Sequence, residues 1–261
     1  MILDEIIVKR KEQLRREKEK VSPEKMKSLA DIALCQRAPL SLAKALKKNT
    51  LSCICEVKKT SPSKGLIRPD FRPAEFAAEY ERAGAEAISC LTEEYYFQGS
   101  SEYLREIRKK VKIPILRKDF IFDPYQIYEA AAIGADAVLL IAAVLEKEDY
   151  LSLYSLAVSL GLSVLTEVHN EEEMRKVSAA EPEIVGVNNR DLKTFQVSLE
   201  TVARLRPYAP QRAVFVSESG IVTNEDMKKV RSLGADAVLI GETLMRSPDI
   251  TSKLRELRQG V

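Results

Sequence analysis

A glutamate and a lysine stand two residues apart, Glu56 and Lys58, where the apolar run Leu51-Ser52-Cys53-Ile54-Cys55 ends and the polar stretch Lys59-Thr60-Ser61-Pro62-Ser63-Lys64-Gly65 begins. In a strand that spacing puts both charges on one side. An ion taken out of water needs a partner or a charged ligand to offset its desolvation, so the pair implies mutual contact or a polar substrate. The Ser-Pro-Ser-Lys-Gly that follows supplies hydroxyls, a flexible glycine and free backbone N–H groups, which suits an anion-binding loop.

The same arrangement recurs along the chain. Apolar runs end in Thr92-Glu93, Lys118-Asp119, Glu167, Asn188 with Arg190, Glu218-Ser219-Gly220, and Gly241-Glu242, and Phe97 and Phe120 lie just beyond two of them. The elements that must position them are written in a repeat. Gly84-Ala85-Glu86-Ala87-Ile88 returns as Gly134-Ala135-Asp136-Ala137-Val138 and as Gly234-Ala235-Asp236-Ala237-Val238. The intervals divide into units of about 25 residues, one helix and one strand with short loops. In each copy the glycine ends a helix and an apolar run opens the next strand. Strands are expected near 51–57, 86–91, 113–118, 136–141, 162–167, 183–188, 213–218 and 236–240. Amphipathic stretches such as Pro73 to Ala83 and Asp226 to Leu233 separate them.

Eight strands, apolar on both faces and alternating with helices, describe an α/β fold closed into a (β/α)8 TIM barrel better than an open sheet. A doubly wound sheet would call for a Gly-x-Gly-x-x-Gly turn after an early strand, and none is present. The length of 261 residues matches one such barrel, typically about 250 residues. We expect a single domain over 1–261, with 1–47 as an N-terminal extension of one or two helices, one starting at Ser22-Pro23-Glu24, and 48–261 as the barrel. The charge run from Lys9 to Lys20 is expected to be a solvated helix face.

Lys plus Arg (41) nearly cancels Asp plus Glu (39), which leaves no electrostatic footprint for nucleic acid or an anionic membrane. No apolar run is long enough to span a bilayer, and the first residues are charged too early for a signal sequence, so a cytoplasmic location is expected. Cys53 and Cys55 lack the spacing of a zinc cluster and share a face with Val57, so they should pack against helices, and no metal site is expected. His169 alone makes neither a triad nor a metal site and is expected at the surface or behind the site.

In a barrel of this kind the carboxyl ends of the strands surround one site. Acids, bases, an amide and a guanidinium around an apolar wall from Leu139, Leu140 and Ile141 would suit a substrate with an aromatic part and several oxygens. Lys58 and Lys118 among carboxylates would be held as ammonium acids, and Glu167 and Glu56 could share proton transfer. Ser219-Gly220 and Gly241 end the last two strands, where such barrels often hold phosphate. Taken singly, each polar residue also fits a solvated loop or a cap, and Asp119 and Asp191 fit a cap or a salt-bridge partner.

The chain resembles the indole-3-glycerol phosphate synthase family over nearly its whole length. The matching segments are Glu56-Val57-Lys58-Lys59-x-Ser61-Pro62-Ser63, Leu91-Thr92-Glu93 with Tyr96-Phe97-x-Gly99-Ser100, Leu116-Arg117-Lys118-Asp119-Phe120, Thr166-Glu167-Val168-His169, Gly186-Val187-Asn188-Asn189-Arg190-Asp191-Leu192, Ser217-Glu218-Ser219-Gly220-Ile221 and Leu239-Ile240-Gly241-Glu242. Their shared order at expected strand ends makes the set specific. The resemblance implies cofactor-free closure of 1-(2-carboxyphenylamino)-1-deoxyribulose 5-phosphate to indole-3-glycerol phosphate, with loss of carbon dioxide and water. It implies Lys118 as the general acid on the ketone oxygen and Glu167 as base or acid in later proton transfers. Lys58 would contact the substrate carboxylate or assist dehydration, with Glu56 orienting it. Asn188, Arg190 and Glu218 would fix the substrate and Lys118, and Ser61, Ser219, Gly220 and Gly241 would hold the phosphate. Glu242 is assigned to binding through its backbone alone. The only expected partner is this small phosphorylated substrate, with no nucleic acid or membrane, and the expected state is a monomer or weak homodimer. Two rivals are a Schiff-base aldolase using a lysine on the same barrel and a non-catalytic phosphate-binding regulator.

Overall fold

The computed structural model describes residues 2–191 and 194–261, so Leu192 of the sixth segment lies outside the described residues. Eight parallel strands form a closed barrel, in chain order β1 (Ser52–Val57), β2 (Ala87–Leu91), β3 (Ile115–Lys118), β4 (Ala137–Ile141), β5 (Ser163–Val168), β6 (Ile184–Asn188), β7 (Val214–Glu218) and β8 (Ala237–Ile240), with β8 pairing back to β1. Every strand lies within two residues of its expected bounds. Three helices precede the barrel: α1 (Ile2–Lys20), α2 (Pro23–Gln36) and the short α3 (Leu42–Leu46). The outer ring is α4 (Pro73–Arg82), α5 (Ser101–Lys110), α6 (Pro124–Ala132), α7 (Lys147–Ser159), α8 (Glu171–Val177), α9 (Glu200–Leu205), α10 (Asn224–Ser232), α11 (Glu242–Met245) and α12 (Ile250–Leu257).

Local chemistry sets these boundaries. Ser22 caps α2 by accepting the Lys25 N–H at 3.3 Å, with Pro23 in the first turn, where its missing N–H costs nothing. The helix expected from Asp226 begins at Asn224, because Asp226 closes a capping box with Thr223 and therefore sits inside the first turn.

Alternating strand residues feed two apolar layers. Ile54, Leu116, Leu139, Leu165 and Val216 fill the barrel, and Leu42 and Leu46 of α3 close its amino end. There the Leu42 N–H donates to Ser163 Oγ (3.0 Å), and the Ser52 hydroxyl donates to the Leu46 carbonyl (2.8 Å). The outer layer holds Cys53, Cys55, Val57 and Cys90 against the helices. The acids of the repeated phrase belong to the amino end. Glu86, Asp136 and Asp236 accept the backbone N–H of Cys53, Ile115 and Phe215 at 2.7, 2.8 and 2.8 Å, each tying one strand to the next helix-to-strand turn.

The run from Lys9 to Lys20 departs from its expectation. Arg10 is fully buried, and Gln13 and Leu14 are covered with it. The cause is the place of α1 across the carboxyl end of the barrel, where Arg10 pairs with Asp119 just after β3 and only the opposite helix face meets water. Among the described residues no helix is long and apolar enough to cross a membrane.

Candidate active site

The carboxyl ends of the strands border a cavity of about 750 Å³. Every residue assigned to the site from sequence lines it: Glu56, Lys58, Ser61, Phe97, Lys118, Phe120, Glu167, Asn188, Arg190, Glu218, Ser219, Gly220 and Gly241. At its centre Lys118 projects from the end of β3. Its ammonium donates to Glu167 Oε2 of β5 at 2.9 Å and, in a tighter contact, to Glu218 Oε2 of β7. Burial alone would pull the lysine's pKa down, but Glu167, Glu218 and Glu56 outweigh it and hold the group above its usual range. The two carboxylates that share this one cation are driven apart. Burial pushes both up; Lys118 and the His169 imidazole reverse this for Glu167, which stays well below the usual carboxylate range, whereas Glu218 sits at about 7.

Asn188, at the end of β6, donates from Nδ2 to Glu167 Oε1 at 3.2 Å and accepts the Arg190 N–H on Oδ1 at 3.0 Å. Arg190 then donates to the Phe195 carbonyl at 3.2 Å, which places its guanidinium on the rim. Across the barrel, Lys58 Nζ lies 2.5 Å from Glu56 Oε2, the same-side pair expected from their spacing. Glu218, not Glu56, is therefore the second carboxylate on Lys118.

Two glycines make room for these acids. A Cβ on Gly186 of β6 would lie 2.1 Å from Glu218 Oε1, and one on Gly241 would lie 2.4 Å from Glu56 Oε2. Gly241 thus serves the carboxylate of the neighbouring strand as well as bordering the cavity. The rest of the wall is apolar and aromatic. The Phe97 and Phe120 ring centroids are 6.2 Å apart in a tilted pair, and Leu139 and Ile141 of β4 also line the cavity, whereas Leu140, expected with them, packs in the outer layer because alternate strand residues face opposite sides.

At the other side of the cavity the turn after β7 is strained. Ser219 has φ +68 and Gly220 φ +89. A serine held in the left-handed region costs about 1 kcal/mol or more and tends to mark a functional turn. Asn189 pins it by donating to Ser217 Oγ (2.9 Å) and to the Ser219 carbonyl (3.0 Å). The Ser61 loop folds as a small hairpin, Thr60–Ser61 against Gly65–Leu66, on the same rim. The Glu242 carboxylate is engaged by Arg246 at 3.0 Å along α11.

Three strand-end residues, of which Asp119 also borders the cavity, commit their polar side chains to the protein's own groups. Thr92 and Asp119 bond to each other (2.8 Å) and to Arg117 beneath the surface, and Asp119 also accepts from Nε and Nη2 of Arg10 (2.9 and 3.0 Å). Burial would raise the Asp119 carboxyl, but Arg10 and Arg117 hold it at about 2. Strand alternation points it away from Lys118, since neighbouring residues face opposite sides, and leaves it as a salt-bridge partner of Arg10 and Arg117. Glu93 accepts the N–H groups of Tyr95, Tyr96 and Phe97 and so braces the loop that presents Phe97.

Ile2, Leu3 and Ile6 of α1 also line the cavity, three residues not singled out from sequence. His169 lies behind Glu167, with Nε2 3.4 Å from Glu167 Oε1.

A sequence model of the family "Indole-3-glycerol phosphate synthase" matches residues 3–257. The chain is 48% identical to the indole-3-glycerol phosphate synthase of Alkaliphilus metalliredigens, over 100% of this chain and 99% of that one. It is 50% identical to that of Ruminiclostridium cellulolyticum, over 99% of each. Among solved structures, 3-hexulose-6-phosphate synthase from Salmonella typhimurium superposes with a TM-score of 0.65 over 80% of this chain and 97% of that one; at 14% identity this likeness is one of fold alone.

Proposed function

The chain belongs to the indole-3-glycerol phosphate synthase family, and from that premise we propose how its residues carry the reaction. It is a carboxy-lyase of tryptophan biosynthesis that closes 1-(2-carboxyphenylamino)-1-deoxyribulose 5-phosphate to indole-3-glycerol phosphate, releasing carbon dioxide and water. The observation that carries the assignment of roles is Lys118, an ammonium gripped by Glu167 and Glu218 inside an aromatic-walled cavity.

Lys118 is the acid that protonates the ketone oxygen as the aromatic carbon attacks, because its carboxylate neighbours keep it charged while substrate can still displace one of them. The phenyl ring lies along Phe97 and Phe120, and the phosphate meets the backbone of Ser219, Gly220 and Gly241 with the Ser61 loop. Glu218 Oε1, buried and without a hydrogen-bond partner among the described residues, is an acceptor for a sugar hydroxyl. Glu167, held by Asn188, takes part in the later proton transfers. Lys58, oriented by Glu56, meets the substrate carboxylate or assists departure of the hydroxyl. The aldolase reading fares worse, since a lysine kept cationic attacks a carbonyl poorly. A regulator that only bound phosphate would need no ammonium between two acids.

The test is turnover of the carboxyphenylamino sugar phosphate, followed by indole fluorescence; the chain contains no Trp, so the background is low. Folded protein that leaves this substrate unchanged refutes the proposal. We further propose a helical extension over 1–47 before a barrel over 48–261, a monomer or weak homodimer that sedimentation would reveal, and a cytoplasmic location.

A further inference from the structure

Each turnover of this reaction takes up one proton from solution. The ketone oxygen receives a proton when the aromatic carbon forms its bond to the ketone carbon, and the electrons of the bond to carbon dioxide then return to the ring. The hydroxyl receives a second proton as it leaves with its bonding pair. Only one proton comes back, from the methylene carbon beside nitrogen, whose C–H electrons complete the indole double bond. The acids of the site therefore end each turnover one proton short, and that proton must come from solvent.

His169 supplies a path that avoids the mouth. It is not among the residues lining the cavity. Its Nε2 stands 3.4 Å from Glu167 Oε1, an ion-pair distance without a formed hydrogen bond, while the other oxygen of the same carboxylate, Oε2, accepts from Lys118 Nζ at 2.9 Å. The ring is held from the far side by Glu173 of α8, whose Oε2 lies 3.0 Å from Nδ1 and accepts the His169 backbone N–H at 2.8 Å. Asn170 in turn donates to Glu173 Oε1 at 2.7 Å. From α9, Arg204 reaches the His169 carbonyl (3.2 Å) and Glu171 (3.2 Å) but not the ring. The side chains of His169 and Glu173 retain 10% and 14% of their surface in contact with solvent, so the far end of the chain of groups is wet.

We propose that His169 is a proton-relay residue: it passes a solvent proton to Glu167 Oε1 as Glu167 Oε2 passes one to the neutral Lys118, reloading the acid from behind β5. This rests on the assignment of Lys118 as the acid. The direction is favourable. Burial would lower the imidazole's pKa, but Glu167 and Glu173 raise it to about 10, and Lys118 is held higher still, so the proton runs downhill toward the lysine. The imidazole left neutral between two carboxylates then refills from water. His169 does not touch the substrate and acts only through Glu167.

The experiment compares wild-type protein with His169→Gln, which keeps an amide donor toward Glu167 but cannot carry a proton. We expect kcat to fall about 10- to 100-fold, KM to stay within about twofold, and millimolar imidazole to restore activity in the variant but not to stimulate wild type. Glu173→Gln, a second variant that leaves the ring in place, should move the alkaline limb of kcat to lower pH by weakening the hold on the imidazolium. Should His169→Gln fail to fold, that limb decides, and an unmoved limb refutes the relay. Wild-type protein inert on the substrate refutes the function itself. Active wild type beside a His169→Gln variant that is unimpaired, or impaired and deaf to imidazole, refutes the relay alone.

Discussion

Replacing Arg10 by Met tests whether α1 is latched over the barrel mouth by one buried ion pair. The guanidinium is fully buried and makes two bonds to Asp119, at 2.9 and 3.0 Å, and one to Glu17 at 3.0 Å. Methionine refills most of the aliphatic volume, so the loss is chiefly electrostatic. Removing one partner of a buried pair costs about 3–5 kcal/mol. Asp119 keeps Arg117 (2.9 Å), the Thr92 hydroxyl (2.8 Å) and the Phe120 N–H (2.8 Å), which puts the expected loss at the low end, about 3 kcal/mol. For a chain of this size that is a fall in Tm of roughly 6–12 °C. The pH dependence has a definite sign. A carboxyl held at about 2 contributes stability that is present above its ordinary value and lost as pH falls through about 2. Without Arg10 that carboxyl rises, so the acid-unfolding limb of the variant should begin at higher pH. Because Ile2, Leu3 and Ile6 line the cavity, a loosened α1 should also raise KM about tenfold, ~1.4 kcal/mol, or roughly half the worth of burying one isoleucine side chain. Urea unfolding of Arg10→Met, Asp119→Asn and the double variant, with steady-state kinetics on each, measures both effects. A single variant within 0.5 kcal/mol of wild type (roughly the scatter of a surface substitution) and with unchanged KM refutes the latch.

Glu167→Gln preserves shape and the hydrogen bond to Asn188 but ends proton transfer, so kcat should fall about 10²-fold or more with little change in affinity; normal turnover would move the role to Glu218. Lys118→Met should lower kcat by about 10²- to 10⁴-fold while leaving binding measurable, and borohydride added during wild-type turnover should trap nothing; a mass increase mapped to Lys118 would place the chain among Schiff-base enzymes. Inorganic phosphate should inhibit competitively and occupy the space between Ser219-Gly220, Gly241 and the Ser61 loop in a crystal, and phosphate bound instead at the amino end of the barrel would sink that assignment.

The barrel was legible because each strand is a short apolar run closed by a polar residue, and the side-chain period of two sorts its members into an inner and an outer layer. Cys53, Cys55 and Val57 face the helices for that reason, and Glu56 meets Lys58. Strand ends are local in sequence and converge in space once the sheet closes, so the polar lining they contribute to the cavity followed from topology. Contacts between distant segments were not legible. Arg10 and Asp119 are separated by 109 positions, and a charge-rich helix gives no local sign that one of its arginines is buried. The alternation that placed Glu56 beside Lys58 also turns Asp119 away from Lys118, a consequence available from sequence. His169 looked isolated because its second partner, Glu173, comes from the next helix, where it resembles an ordinary surface acid.

The glycines divide the molecule by function. Those that recur, Gly84, Gly134 and Gly234, precede the acids that tie neighbouring strands at the amino end, and their repetition suits a task performed alike around the ring. Gly186 and Gly241 have no counterparts in the repeat. Each stands where a neighbouring strand turns a carboxylate inward, and a Cβ would occupy the position of that carboxylate's oxygen. A strand interior loses packing when it gives up a side chain, so an unrepeated glycine at the carboxyl end needs a local cause. Here the cause is room for Glu218 and Glu56, the acids that hold Lys118 and Lys58. What repeats in this chain builds the barrel, and what breaks the repeat opens space for charge at its mouth.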